Sequence, residues 1–154
     1  MPSDLPPVQP IERLLWEHKS LLARLDELIE VFSRPPGGNL LRVDRKVDFA
    51  VRFMELNQET EERFLFPLVS EIGNPLLTEL RLEHRELFKI SDSLPVLLQL
   101  KDQKQLLQRI EMLKRELSAH FSREETKIFV KAQKSLSPAQ LDILRIKFAT
   151  RSVV

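Results

Sequence analysis

The stretch ELSAHFSREETKIF, residues 116–129, sets Leu117, Phe121 and Ile128 at three-to-four spacing and places His120 and Glu124, one helical turn apart, on the same face. A strand would alternate apolar and polar residues; this pattern is that of an amphipathic helix whose buried stripe is interrupted by an imidazole and a carboxylate. Working outward, the stripe runs from about Lys101 to Gln133 through Leu106, Leu107, Ile110 and Leu113, with Lys127, Lys131 and Lys134 in its last turns, where the helix dipole favours cations.

Three earlier segments carry the same period. Pro10 suits the first position of a helix, where its missing N–H is not needed, and Leu14, Leu15, His18, Leu21, Leu22, Leu25, Leu28, Ile29 and Phe32 follow until SRPPGGN at 33–39. The second pattern spans about Leu41 to Phe66, with Pro67 expected to kink or end it. A third starts after Gly73, Asn74 and Pro75 and runs through Leu80, His84, Leu87, Phe88 and Leu94, with Pro95 expected to bend or terminate it. SPAQ at 137–140 is a capping box opening a short fifth helix with Leu141, Leu144, Ile146 and Phe148. Four long helices with single apolar stripes and short connections predict an all-α fold, an antiparallel up-down four-helix bundle with a short C-terminal fifth helix. The expected organisation is a proline-rich tail at 1–10 and one bundle domain at 11–151.

Composition narrows the chemistry. At 154 residues the chain can bury roughly 70% of its unfolded surface in one core. With no cysteine, disulfides, thiolate nucleophiles and cysteine-held metals are excluded, so any metal is held by nitrogen and oxygen. With no tyrosine, a tyrosyl radical is excluded too, and Trp16 is the one tryptophan. Lys plus Arg is 24 against 23 Asp plus Glu, interspersed along the chain, so neither a nucleic-acid arm nor a polybasic membrane patch is expected. MPSDLPPVQP has neither the positive region nor the apolar core of a secretory signal, and no apolar run reaches about 18 residues. A cytoplasmic protein without membrane partners is expected.

All three histidines, His18, His84 and His120, interrupt apolar stripes of different helices. One such imidazole reads as a satisfied helix histidine; three together share a partner more economically if that partner is a divalent metal. Glu61 follows Asn57 by one turn, as Glu124 follows His120, so in the acidic pairs Glu61–Glu62 and Glu124–Glu125 the first member is the one expected to face inward. Two carboxylates and three imidazoles suit iron, manganese or zinc, and the mixture favours a dinuclear iron centre. The Glu-x-x-His pair of ferritin-like sites is not present: Leu15, Arg81 and Leu117 stand three residues before the histidines.

EHKSLLARLDEL around His18, NQETEERFLFPLV at 57–69, LEHRELF around His84, AHFSREETKIF around His120 and LSPAQLDILRIKFATR at 136–151 together resemble the hemerythrin-like, or HHE cation-binding, family. The resemblance implies two non-haem irons bridged by two carboxylates and a solvent-derived oxo or hydroxo group, with His18, Glu61, His84, His120 and Glu124 as ligands. Asn57 stands where the family pattern has a histidine, which would leave the iron shared with His18 under-ligated beside the one held by His84 and His120. The implied function is binding or reaction of dioxygen, peroxide or nitric oxide. Two alternatives stay open: a non-enzymatic iron or oxygen sensor module, and a degenerate bundle acting as an interaction protein, with homodimerisation as one form.

Overall fold

The computed structural model describes residues 5–35 and 43–151, apart from the side chain of Ile72. The expected tail begins and the SRPPGGN connection continues outside these residues, as does the expected helix start at Leu41. Six α-helices are described: α1 (Pro10–Phe32), α2 (Val43–Thr60), α3 (Asn74–Gln99), α4 (Gln103–Glu124), α5 (Val130–Ser135) and α6 (Pro138–Thr150). A π-helical turn at Glu125–Phe129 joins α4 to α5 as one rod, so four long helical rods form the bundle and α6 is the short C-terminal addition. No strand occurs among the described residues. α1 packs on α2 and α4, and α3 on α2 and α4, closing the ring of an up-down bundle.

Local chemistry sets the ends. Pro10 opens α1 at its first turn, and Asp102 accepts the Gln105 N–H at 3.1 Å to cap α4. The capping box of α6 forms in both directions, with Gln140 N donating to Ser137 Oγ at 3.2 Å and Ser137 N to Gln140 Oε1 at 2.9 Å. Gly73, at φ 130°, turns the chain into α3 in a conformation that a side chain would resist.

Two sequence expectations are corrected. Of the two outcomes expected at Pro95, termination does not occur: the helix continues to Gln99, with Leu94 fully buried and Leu97 and Leu98 packed on the core beyond it. The stop is instead Lys101, at φ 57°, where Asp102 N donates to Leu97 O and Lys101 N to Leu98 O, both at 3.1 Å, in a Schellman closure. The second rod does not run as one α-helix to Phe66 either. α2 gives way at Glu61 to a π-helical turn, Glu61–Leu65, and then to a 3-10 helix, Phe66–Ile72, with Pro67 in its first turn.

The apolar core is split in two. One cluster holds Leu21, Leu25, Leu28, Val47, Met54, Leu87, Leu117 and Phe121; the other holds Leu14, Leu65, Phe66, Leu80, Ile128, Phe129 and Leu144. On each rod the residues between these clusters are polar: His18 on α1, Asn57 and Glu61 on the second rod, His84 on α3, His120 and Glu124 on the fourth. Phe88, expected beside His84, turns outward at 40% exposure, and Ile146 of α6 is likewise exposed, so that α6 covers its flank through Leu144, Leu141 and Phe148.

Candidate metal centre

Each rod delivers its polar side chains to one level because they replace apolar residues in an otherwise regular stripe. Glu61 and Glu124 are wholly buried, and His18, His84 and His120 are at most 2% exposed. Glu61, His84, His120 and Glu124 each present one ligand atom, and these atoms lie within 4.8 Å of one another. The two carboxylates extend that group to His18. Glu61 turns Oε1 to His84 Nε2 at 3.3 Å and Oε2 to His18 Nε2 at 3.1 Å; Glu124 turns Oε2 to His84 Nε2 at 3.5 Å and Oε1 to His120 Nε2 at 3.2 Å and His18 Nε2 at 3.5 Å. Both carboxylates therefore span two sides of the layer.

A second tier stands behind the imidazoles. Glu62 takes His84 Nδ1 at 2.8 Å, Glu83 takes His120 Nδ1 at 2.7 Å, and Glu125 faces His18 Nδ1 at 3.5 Å. In each case the carboxylate comes from the preceding rod around the ring, and it adjoins an inner residue in sequence: Glu62 after Glu61, Glu83 before His84, Glu125 after Glu124. These outer groups are about one-third exposed. Glu83 is itself held by Arg123, which also reaches Glu79 at 2.8 Å. A carboxylate accepts, so at His84 and His120 Nδ1 carries a proton and Nε2 is turned to the centre, the arrangement that prepares a histidine to bind a metal, whereas His18 has its hydrogen bond at Nε2, with Glu61 Oε2 at 3.1 Å, and none at Nδ1.

The fit to a cation is tested by what the inner atoms lack. Glu61 Oε1, His84 Nε2, His120 Nε2 and both oxygens of Glu124 are buried without a hydrogen-bond partner. Each such group costs about 1–3 kcal/mol if left unsatisfied, and one cation answers all of them. Nitrogen and carboxylate oxygen are also a donor set that suits iron.

A family model described as the hemerythrin HHE cation binding domain matches residues 9–132. The chain belongs to the hemerythrin HHE cation-binding family. No curated protein and no solved structure matches the chain. The family match ends within α5, so α6 lies beyond it.

The electrostatics of this HHE site express the same need for a cation. Burial alone would lower the His84 imidazole, but the carboxylates of Glu124, Glu61 and Glu62 outweigh it and raise its pKa to about 11. Burial is likewise overcome at His18, where Glu125, Glu61 and Glu124 raise the imidazole to about 9. The carboxylates divide: burial and the neighbouring Glu124 charge push Glu61 up, whereas Glu124, despite burial, is held well below the usual carboxylate range by His120 and His84. Protons thus supply positive charge that a divalent ion would replace.

Aromatic rings wall the HHE layer. Phe121 stacks on His18 at 3.6 Å between ring centres and 6° between planes, Phe129 lies 5.2 Å from His18, and Phe66 lies 6.0 Å from His84. Both π-helical turns begin at the layer, one at Glu61 and one just after Glu124.

Asn57 is buried at this level but joins a different group. Its Nδ2 donates to Glu17 Oε1 at 3.1 Å, and Glu17, 2% exposed, also receives Arg13 Nε at 3.0 Å and the guanidinium of Arg151. Arg151 Nη1 reaches Thr60 Oγ1 at 2.8 Å. Glu17, Glu62, Glu83 and Arg151 were not expected from the sequence. The first three sit directly beside inner residues, which is the one signal available for them.

Proposed function

We propose that this chain is a non-haem iron protein that binds or reacts with dioxygen, peroxide or nitric oxide, holding iron with His84, His120, Glu61 and Glu124 and extending the centre to His18. The observation that carries this is the convergence of three imidazoles and two carboxylates from four rods, with His84 Nε2, His120 Nε2, Glu61 Oε1 and both Glu124 oxygens buried without a hydrogen-bond partner. Membership of a cation-binding family supports the same reading. No helix among the described residues is long and apolar enough to cross a membrane.

Iron bound there supplies electrons and a Lewis-acidic position for a small ligand. The protein residues supply the rest. Glu61 and Glu124 offer oxygens to both sides of the layer and neutralise cationic charge in a medium of low dielectric. Glu62 and Glu83 accept the Nδ1 protons of His84 and His120, fixing both rings with Nε2 inward. Phe66, Phe121 and Phe129, each at most 2% exposed, keep bulk water from the layer.

The test is anaerobic ferrous titration of the apoprotein followed by exposure to dioxygen, peroxide or nitric oxide, read by absorption, in the wild type and in His120→Ala. Iron uptake with a ligand-dependent spectrum in the wild type, weakened in the variant, is expected. Uptake equal in both forms would remove His120 from the site and overturn the assignment.

A further inference from the structure

A cavity between α3 and α4 reaches the polar layer from outside. It has a volume of about 250 Å³ and is lined by Glu83, Glu86, Glu116, Met112 and His120, and none of the residues lining it is basic. A larger cavity between the second rod and α3, about 610 Å³, reaches His84, but there Glu55, Glu59 and Glu62 are matched by Arg63, Arg85 and Lys89. The two present different fields to a cation, because a cleft lined by one sign of charge focuses an ion of the other sign and a balanced cleft does not.

The acidic groups of the smaller cavity form a graded path inward. Glu83 and Glu86 stand three residues apart on α3, and Glu116 lies one turn before His120 on α4, so each helix turns a polar pair to the cavity. Exposure falls from 70% at Glu86 and 54% at Glu116 to 30% at Glu83 and 2% at His120. The last step is direct: Glu83 Oε1 takes His120 Nδ1 at 2.7 Å, while Nε2 of the same ring lies 3.2 Å from Glu124 Oε1 and has no hydrogen-bond partner. One imidazole ring therefore separates the cavity from the centre. The outer carboxylates do have basic neighbours, Lys89 at 3.0 Å from Glu86 and Arg115 at 3.9 Å from Glu116, but these are 72% and 71% exposed, so both pairs are weak and screened and give way to a divalent ion. Arg123 likewise holds the second oxygen of Glu83 from a partly exposed position. The volume suffices as well: a cation with about six waters, at roughly 30 Å³ each, needs roughly 180 Å³.

We propose that this cavity is the route by which a hydrated divalent cation enters the bundle, with Glu86 and Glu116 capturing it at the mouth and Glu83 handing it to His120. This rests on the reading that Glu61, His84, His120 and Glu124 hold the cation once it is inside. Glu86 and Glu116 are not ligands of the centre; they act on the rate at which it fills. Glu83 does both, since it also fixes the His120 ring.

The experiment is anaerobic stopped-flow mixing of apoprotein with cobalt(II), a redox-silent probe whose visible bands report coordination, with the equilibrium affinity measured by calorimetry. Glu86→Gln combined with Glu116→Gln should fill about tenfold more slowly at low ionic strength. The difference should close near 1 M salt, where the Debye length is about 3 Å, while the equilibrium affinity stays within about twofold of wild type. Glu55→Gln combined with Glu59→Gln removes the same number of charges from the other cavity and should fill at the wild-type rate. Met112→Trp, which occupies the cavity, should slow filling at every salt concentration. A Glu86/Glu116 variant as fast as wild type, equal slowing in both double variants, or a folded Met112→Trp that fills at the wild-type rate would overturn the proposal. So would a Glu86/Glu116 affinity reduced by the same factor as the rate, since that marks the two carboxylates as part of the binding site itself. Failure of the wild type to take up either cobalt(II) or ferrous iron at equilibrium would instead refute the proposed function, and the route would fall with it.

Discussion

Replacing Glu83 by alanine separates metal support from fold stability. Glu83 Oε1 receives His120 Nδ1 at 2.7 Å, but Glu83 is 30% exposed and its other contact is the partly exposed Arg123, which keeps Glu79. For the metal-free fold the loss is that of a solvent-screened pair, under about 1 kcal/mol, or a melting shift below about 4 °C for a chain of this size. For the loaded protein the loss is larger, because His120 no longer has its ring fixed and its basicity supported. Removing such a partner lowers metal affinity by about 10–100-fold, roughly 1.4–2.7 kcal/mol. At equal excess of ferrous iron the metal-induced rise in melting temperature should therefore shrink by about 3–10 °C. Calorimetric affinity and melting curves with and without iron measure both halves. Glu62→Ala should act like Glu83→Ala, and Glu125→Ala less, since its contact with His18 is 3.5 Å long. Iron affinity of Glu83→Ala within twofold of wild type would refute the account of the outer carboxylates.

The metal-free protein should lose stability as pH rises: with His18 raised to about 9 and His84 to about 11 from 6.5, the folded state binds more protons than the unfolded above pH 6.5, and the contribution is gone once both values are passed. Glu61, also raised, adds in the same direction, so a melting temperature that climbs across this interval in chelator would contradict the assignment. Pro95→Ala, at an exposed position inside α3, restores a helix donor and should stabilise by up to about 3 kcal/mol; a lower melting temperature would show that α3 depends on the proline. Phe121→Ala removes the ring stacked on His18 and should cost roughly 3–5 kcal/mol in denaturant titration, where a loss below about 1 kcal/mol would mean that the ring does not support the layer.

What the sequence disclosed follows from what periodicity encodes. The stripes located all four rods and showed that His18, His84, His120, Glu61 and Glu124 face inward, because one turn of an α-helix places them under buried leucines. Choosing Glu61 over Glu62 and Glu124 over Glu125 by one-turn stacking agrees with the burial observed, with the second member of each pair about one-third exposed. The π-helical turns were not legible in the sequence, because adjacent buried pairs such as Leu65–Phe66 and Ile128–Phe129 also occur within the regular α-helices, at Ala50–Val51 and His120–Phe121. Pro95 does not end α3 because its local cost is overridden by the packing of Leu94, Leu97 and Leu98. The Glu17–Arg151 contact joins residues 134 positions apart, and no local pattern announces such a pairing.

The central claim is that the polar layer dividing the core holds iron, and metal analysis of protein produced with iron available tests it most directly. Wild type should retain at least one iron per chain, and His84→Ala combined with Glu124→Ala should retain none while keeping its helical content. Iron-free wild type under those conditions, or equal iron in the double variant, would contradict the account.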